Sequence, residues 1–251
     1  MGKIKVALID ADSLMYYEMN APTLEEAQEG IDNRIHSIIS LTKCDAYAGF
    51  LTIGRCFRYG LAKTKAYKYN RKGNKKPPIF YALKEYVQQT HGFVAIPGLE
   101  ADDCVSIYSK YVKDELGKSV ICSPDKDVLK QIPGIHFNYA KLEWVDTSDE
   151  DAEKFLWTQS LMGDPGDGII GVHGVGPKTA EQLLTDNSMS YQQIVIKKYI
   201  EKFGNKEGVC RFAETFNLVY LLRTEEEALS YAGTTLPNLI ELLTSCHIDD
   251  F

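Results

Sequence analysis

Residues 3–10 alternate and then run apolar through Ile4, Val6, Ala7, Leu8 and Ile9 before stopping at Asp10, the pattern of a buried parallel strand. From 23 to 41 the apolar positions Ile31, Ile35, Ile38 and Ile39 recur at helical spacing. Thr23 with Glu26 three residues on marks the start of that helix as a capping box. Residues 46–53 (AYAGFLTI) predict a second strand. The pattern continues with a helix at 79–89, a short strand at 93–96, a helix at 101–116 ended by Gly117, and a strand at 119–122. One or two helical turns follow at 126–131, then a hairpin of 135–139 and 142–145. From Asp149 onward the periodicity is mostly helical. Strands alternating with helices predict an α/β domain, 1–148, with a central, mostly parallel sheet flanked by helices. A helical region, 149–251, follows it. No internal repeat or low-complexity tract interrupts the chain.

Composition places the chain among globular proteins. Of 251 residues, 44% are hydrophobic and 25% charged, which excludes wholesale disorder. No stretch reaches the roughly 18 apolar residues that span a bilayer. The first apolar run is too short for a signal peptide, so a cytoplasmic protein without a membrane partner is expected. The cysteines at 44, 56, 104, 122, 210 and 246 form no C-x-x-C pair, which excludes a disulfide scaffold or a zinc site as the organising feature. The net charge is −7, from 28 basic and 35 acidic residues. Yet 55–76 holds nine basic residues and no acidic one. An acidic body with one basic segment argues against nonspecific coating of nucleic acid and is compatible with local contact to phosphates.

The acids follow the predicted layout. Asp10 ends the first strand, with Asp12 two residues on. Glu100, Asp102 and Asp103 open a helix after a strand, and Asp125 and Asp127 follow the next strand. In an open α/β sheet those ends line the ligand crevice. One Asp at a strand end or helix N-terminus is an ordinary capping residue. Three such groups, with Asp164 and Asp167 in the run GDPGDG, point instead to bound cations, and hard oxygen ligands select Mg²⁺ or Mn²⁺. The run GVHGVGPKTA reads as a hairpin between helices at about 160–184. Its glycines let backbone approach a phosphate, and the helix starting near Pro177 offers amides, with Lys178 adding charge. The five histidines are dispersed and make no triad.

The motifs LIDADSL, YKYNRKG, GLEADDCV, SPDKDVL and GDPGDGIIGVHGVGPKTA together resemble those of the 5′→3′ exonuclease and flap endonuclease family, including phage members and the nuclease domain attached to bacterial DNA polymerase I. The resemblance runs from Asp10 to about Leu184. It implies a PIN-like fold with a helix-hairpin-helix clamp and a carboxylate cage for two divalent ions, Mg²⁺ or Mn²⁺. By position, Asp10, Glu100 and Asp102 fall on the first metal site, with Asp103 as ligand or neighbour. Asp125, Asp127, Asp164 and Asp167 fall on the second. The 171–176 loop is expected to hold K⁺ through backbone oxygens, Val172 and Val175 among them, beside a DNA phosphate. The segment 55–78 resembles the family's arch. Lys68 and Arg71 of Y-K-x-x-R are its expected catalytic cations, and Tyr67 and Tyr69 its expected stacking groups. Lys72, Gly174, Gly176, Lys178 and Thr179 are the remaining expected DNA contacts.

One position departs from the family, which carries an Asp at the end of the second strand. Ile53 stands there, or Thr52 or Gly54 if the register slips, and no carboxylate occurs between Asp45 and Glu85. The resemblance thus implies a monomeric, metal-dependent nuclease acting on DNA with 5′ ends, gaps or flaps, and on the RNA strand of hybrids. If phage-encoded, it would work in the host cytoplasm. Two rival readings are a catalytically weak, structure-specific DNA-binding protein, supported by the missing Asp, and a PIN-type ribonuclease for single-stranded RNA, against which the duplex clamp argues.

Overall fold

A computed structural model of the protein describes residues 3–71, 73, 75–185 and 188–246. Along the chain the elements are β1 (Ile4–Asp10), α1 (Asp12–Glu18), α2 (Leu24–Thr42), β2 (Ala46–Leu51), α3 (Arg58–Leu61), α4 (Pro78–His91) and β3 (Val94–Ala95). Next come α5 (Ala101–Tyr111), β4 (Gly117–Cys122), α6 (Lys126–Gln131), β5 (Gly134–Asn138), β6 (Glu143–Thr147), α7 (Asp149–Met162), β7 (Gly163–Asp164) and β8 (Ile169–Ile170). The last are α8 (Pro177–Leu183), α9 (Tyr191–Phe203), α10 (Asn205–Val219), α11 (Glu225–Ala232), α12 (Leu239–Leu242) and β9 (Thr244–Ser245). The described residues form two compact units, one within 3–56, 75–147 and 221–246, the other within 57–73 and 148–220.

The first unit is built on a sheet of order β3-β2-β1-β4-β5-β6, with β9 antiparallel beside β2. β3, β2, β1, β4 and β5 run parallel, and β6 turns back on β5 as the predicted hairpin. Five C-terminal strand ends therefore share one edge. Register places Asp10 beside Phe50 and Ile9 beside Cys122. On one face Ala7, Ile9, Leu51 and Val120 join Leu14, Ile31, Ile35, Leu83 and Val87 of α1, α2 and α4 in a single core. On the other, Tyr108 of α5 stacks on Phe50 at 5.0 Å. The predicted α2 stripe is buried, and Thr23 accepts the Glu26 amide at 3.2 Å.

Several boundaries depart from the sequence pattern. α1 is unexpected: seven residues bury Leu14 and Met15 immediately after Asp10. β2 stops at Leu51, and Ile53 is 55% exposed. α5 ends at Tyr111 and widens into a π turn, Val112–Leu116. Gly117 then begins β4 at φ +146°, where a Cβ would collide with the Ile4 carbonyl.

The units also regroup two segments of the two-part reading. Residues 57–74 join the helical part, where Arg58 is buried and donates to the carbonyls of Leu218 (3.1 Å) and Tyr220 (2.7 Å). Residues 221–246 join the sheet, where the Leu221 amide donates to Gln131 Oε1 at 2.7 Å and β9 pairs with β2.

The second unit packs Leu161, Val172, Ala180, Leu184, Ile194, Val195 and Tyr199 into its own core. The Tyr199 hydroxyl donates to the Ser160 carbonyl at 2.8 Å. α7 ends at Gly163, φ +72°, where a side chain would strike the Ile169 carbonyl across the β7–β8 ladder. Among the described residues no helix is long and apolar enough to cross a membrane.

Candidate metal centre

Asp10 closes β1 and is 6% exposed. Its Oδ2 accepts the Ser123 hydroxyl at 2.7 Å. Its carbonyl accepts the Tyr139 hydroxyl at 2.9 Å. Burial first, then the charges of Asp12 and Asp125, push the Asp10 carboxyl up to about 7, with the Ser123 bond opposing them. Ser123, the first residue after β4, is fully buried and accepts the Asp125 amide at 3.0 Å. Asp125 is the N-cap of α6, its Oδ1 accepting the Asp127 amide at 2.7 Å. A chain of hydrogen bonds thus runs from the end of β1 through Ser123 to the acids after β4.

The second group opens α5. One carboxylate oxygen from each of Glu100, Asp102 and Asp103 lies within 4.8 Å of the others. Glu100 and Asp103 form a reciprocal capping box, the Asp103 side chain accepting the Glu100 amide at 3.3 Å. Asp103 is fully buried, and its other oxygen accepts the Leu222 amide at 3.1 Å. Of the two places the resemblance allows it, ligand or neighbour, these bonds suit the neighbour: one oxygen takes the Glu100 amide at the start of its own helix and the other ties α5 to the 221–222 segment. Glu100 and Asp102 remain the acids of this group suited to a cation. Close carboxylates partly withdrawn from water suit a hard divalent ion with oxygen preference, Mg²⁺ or Mn²⁺.

In the second unit Asp164 Oδ1 accepts the Gly166 amide at 2.8 Å. Asp167 is a hub. Its Oδ2 accepts the Tyr67 hydroxyl at 2.9 Å and lies 3.5 Å from Lys68 Nζ, its Oδ1 pairs with Arg71, and its carbonyl accepts the Lys68 amide at 2.8 Å. Asn70 Nδ2 donates to the Pro165 and Gly166 carbonyls at 3.1 and 3.0 Å. The YKYNR segment is thereby folded onto the 164–168 turn, with Lys68 in the left-handed region at φ +53°. A Cβ on Gly168 would meet the Tyr69 ring at 2.6 Å.

One expectation is corrected here. Tyr67 is 5% exposed and packs edge-on against Tyr59 at 5.3 Å, so its face is not offered to a base. Lys68 and Arg71, the expected catalytic cations, share the Asp167 carboxylate. Tyr69 is exposed, with Lys65 Nζ 3.4 Å from its ring centroid. Lys72 lies outside the described residues.

The loop before α8 turns at Gly174, φ +86°, where the Val175 amide donates to the Val172 carbonyl at 3.0 Å. Gly176 is the N-cap of α8 and Pro177 its first residue, and Lys178 and Thr179 are exposed in its first turn. Sequence reasoning missed Ser123 and Thr52, the hydroxyls that link the acids. Ser123 had a signal, standing between a strand and a carboxylate pair. Thr52 was marked only as a possible place for the family's absent Asp, not for its hydroxyl.

No family model matches the chain. A 5′-3′ exonuclease of Buchnera aphidicola subsp. Acyrthosiphon pisum is 35% identical over 111 residues, 41% of this chain and 38% of the relative. The flap endonuclease Xni of Shewanella loihica is 30% identical over 136 residues, 49% of this chain and 53% of the relative. The chain thus spans about half the length, or less, of these curated relatives. Among solved structures, the T5 D15 protein co-crystallised with metal ions superposes with a TM-score of 0.72 at 19% identity, covering 86% of this chain and 89% of that one. A T5 D15 flap endonuclease in a pseudo-enzyme-product complex with DNA and metal ions gives 0.62 at 17% identity, covering 92% and all of that chain. These structures share the fold: a mostly parallel sheet flanked by helices.

Proposed function

We propose that this chain, which belongs with the 5′→3′ exonucleases and flap endonucleases in sequence and in fold, hydrolyses phosphodiester bonds of DNA at 5′ ends or flaps with divalent ions. The observation that carries the reading is the gathering of buried carboxylates at the C-terminal strand edge. Asp10 is 6% exposed there, and Glu100 and Asp102 approach within 4.8 Å at the start of α5. Such acids hold their charges together only when cations balance them. Asp10, Glu100, Asp102, Asp125 and Asp127 are the residues of the first unit that would hold the ions. Asp164 and Asp167 are the acids of the second unit whose replacement tests a wider ligand set. Bound there, Mg²⁺ or Mn²⁺ supplies an acidified water and a counter-charge for the leaving oxygen.

The chain's own residues orient and bind. Ser123 and Tyr139 fix Asp10, and the capping box fixes Glu100. Lys68 and Arg71 are the cations for the reacting phosphate and must exchange Asp167 for it. Gly174, Gly176, Lys178 and Thr179 hold the duplex backbone, and the Val172 and Val175 carbonyls hold K⁺. Tyr69 provides a stacking face. The same reading takes the enzyme as a cytoplasmic monomer that also accepts the RNA strand of hybrids.

Digestion of 5′-labelled blunt, gapped and flapped duplexes with Mg²⁺, with sizing of the first product, tests this. Mononucleotides identify exonuclease action and an intact released flap identifies endonuclease action. Binding without cleavage of any substrate contradicts the proposal and leaves a structure-specific DNA-binding protein.

A further inference from the structure

The end of β2 lacks the acid that the family resemblance leads one to expect, and Ile53 is 55% exposed there. A carboxylate nevertheless stands at that strand end, contributed by α1. The Thr52 amide donates to Asp12 Oδ1 at 3.0 Å, Lys84 Nζ of α4 donates to the same oxygen at 3.0 Å, and Lys84 Nζ also donates to the Thr52 carbonyl at 2.7 Å. Thr52 Oγ1 in turn accepts the Ala101 amide at 3.0 Å, between Glu100 and Asp102. Asp12 itself opens α1 two residues after Asp10 closes β1. Asp12 therefore stands two residues beyond the acid of β1 and is joined, through Thr52, to the backbone that carries the acids of α5.

We propose that Asp12 takes the place of the missing β2 carboxylate, serving the metal centre through its charge and the position it gives Thr52, with Lys84 as the resident cation that balances it. This rests on the metal-dependent reading above. The ordinary role of a first-turn Asp, stabilising its own helix, does not account for the geometry, because the Asp12 side chain bonds outside α1 and the N-cap Ala11 makes no side-chain bond. Among the described residues no donor reaches Asp12 Oδ2, and the side chain is 30% exposed, so water and ions have access to it. Lys84 is 22% exposed in a pair that a divalent ion competes with electrostatically.

The signature is a pair of opposite effects. Asp12→Asn keeps an acceptor for Thr52 and removes the charge, whereas Lys84→Met removes the competing cation. Mn²⁺ binding is measured by calorimetry on the full chain, with melting in EDTA as the control for folding. Asp12→Asn is expected to weaken Mn²⁺ about tenfold and Lys84→Met to tighten it severalfold, a charge effect of roughly one unit in log Kd. Asp12→Glu is expected to recover part of the loss. If both Asp12→Asn and Lys84→Met weaken Mn²⁺, or if neither changes it, the pair is structural only and the inference is overturned. Asp12→Ser and Lys84→Gln serve in the same comparison if either first variant fails to fold. A wild type that takes up no Mn²⁺ and cleaves no duplex overturns the nuclease reading instead, so the two failures are distinguishable.

Discussion

The Ser123 hydroxyl donates to Asp10 Oδ2 at 2.7 Å and accepts the Asp125 amide at 3.0 Å, so one buried side chain joins the ends of β1 and β4. Ser123→Ala removes both bonds and leaves the part-buried Asp125 amide and the buried Asp10 carboxylate short of a partner. Such losses cost roughly 1–3 kcal/mol. Urea denaturation in EDTA should show a lower midpoint with an unchanged slope. An unchanged midpoint would mean that the link carries no stability.

Asp10 makes the metal-free protein sensitive to pH. Its carboxyl titrates near 7 when folded against 3.8 for the ordinary group. The folded state holds a proton that the unfolded state has lost, so this contribution is complete below about 3.8 and disappears as pH rises through about 7. In EDTA at pH 8, Asp10→Asn should therefore melt above wild type, because its neutral side chain avoids the burial of charge. With excess Mg²⁺ the order should reverse, since an ion that binds only the native state stabilises it. Melting curves of the two proteins with and without Mg²⁺ check both signs.

Much of the fold was legible because its strands and helices carry strong periods. The run ending at Asp10, the stripe of α2 and the hairpin of β5 and β6 all follow from apolar spacing. α1 was not, because seven residues with two buried side chains are too few to establish a period. The acids were visible by type and position, but their individual duties were not. Asp103 is fully buried against the Glu100 and Leu222 amides, and the second of these depends on where residue 222 returns. The basic run from 55 to 76 reads as one segment for phosphate contact, yet Arg58 within it is buried on carbonyls contributed by residues 218 and 220. Long-range partners of this kind leave no mark in local spacing.

Asp167 holds Tyr67, Lys68 and Arg71 together. Asp167→Asn should loosen this segment and expose the peptide bonds after Lys68 and Arg71. Limited trypsin digestion followed by mass spectrometry should show faster cleavage at those two sites. Lys68→Ala should leave DNA affinity nearly intact and lower turnover by about 10²-fold or more, the scale of a lost transition-state contact. Equal losses in affinity and turnover would contradict a role at the reacting phosphate.

Lys178 is exposed in the first turn of α8, beside the Gly176 N-cap. Lys178→Ala should weaken duplex binding and reduce the slope of log K against log salt by about one unit, as loss of a single phosphate contact requires. Filter binding at several salt concentrations measures both. An unchanged slope would remove Lys178 from the interface.

The central claim is that the strand-end carboxylates run a metal-dependent cleavage. It is tested most directly by the rate at which wild type and the Asp10→Asn, Asp102→Asn double variant cut a 5′-flapped duplex in Mg²⁺, with duplex affinity measured in EDTA. The amides keep shape and remove ligand charge. The account predicts cleavage by wild type that stops on chelation, and a double variant that binds DNA with similar affinity but cuts at least 10³-fold more slowly, the scale on which metal chemistry is lost. Undiminished cutting by the double variant, or wild-type cutting that persists in EDTA, would contradict it.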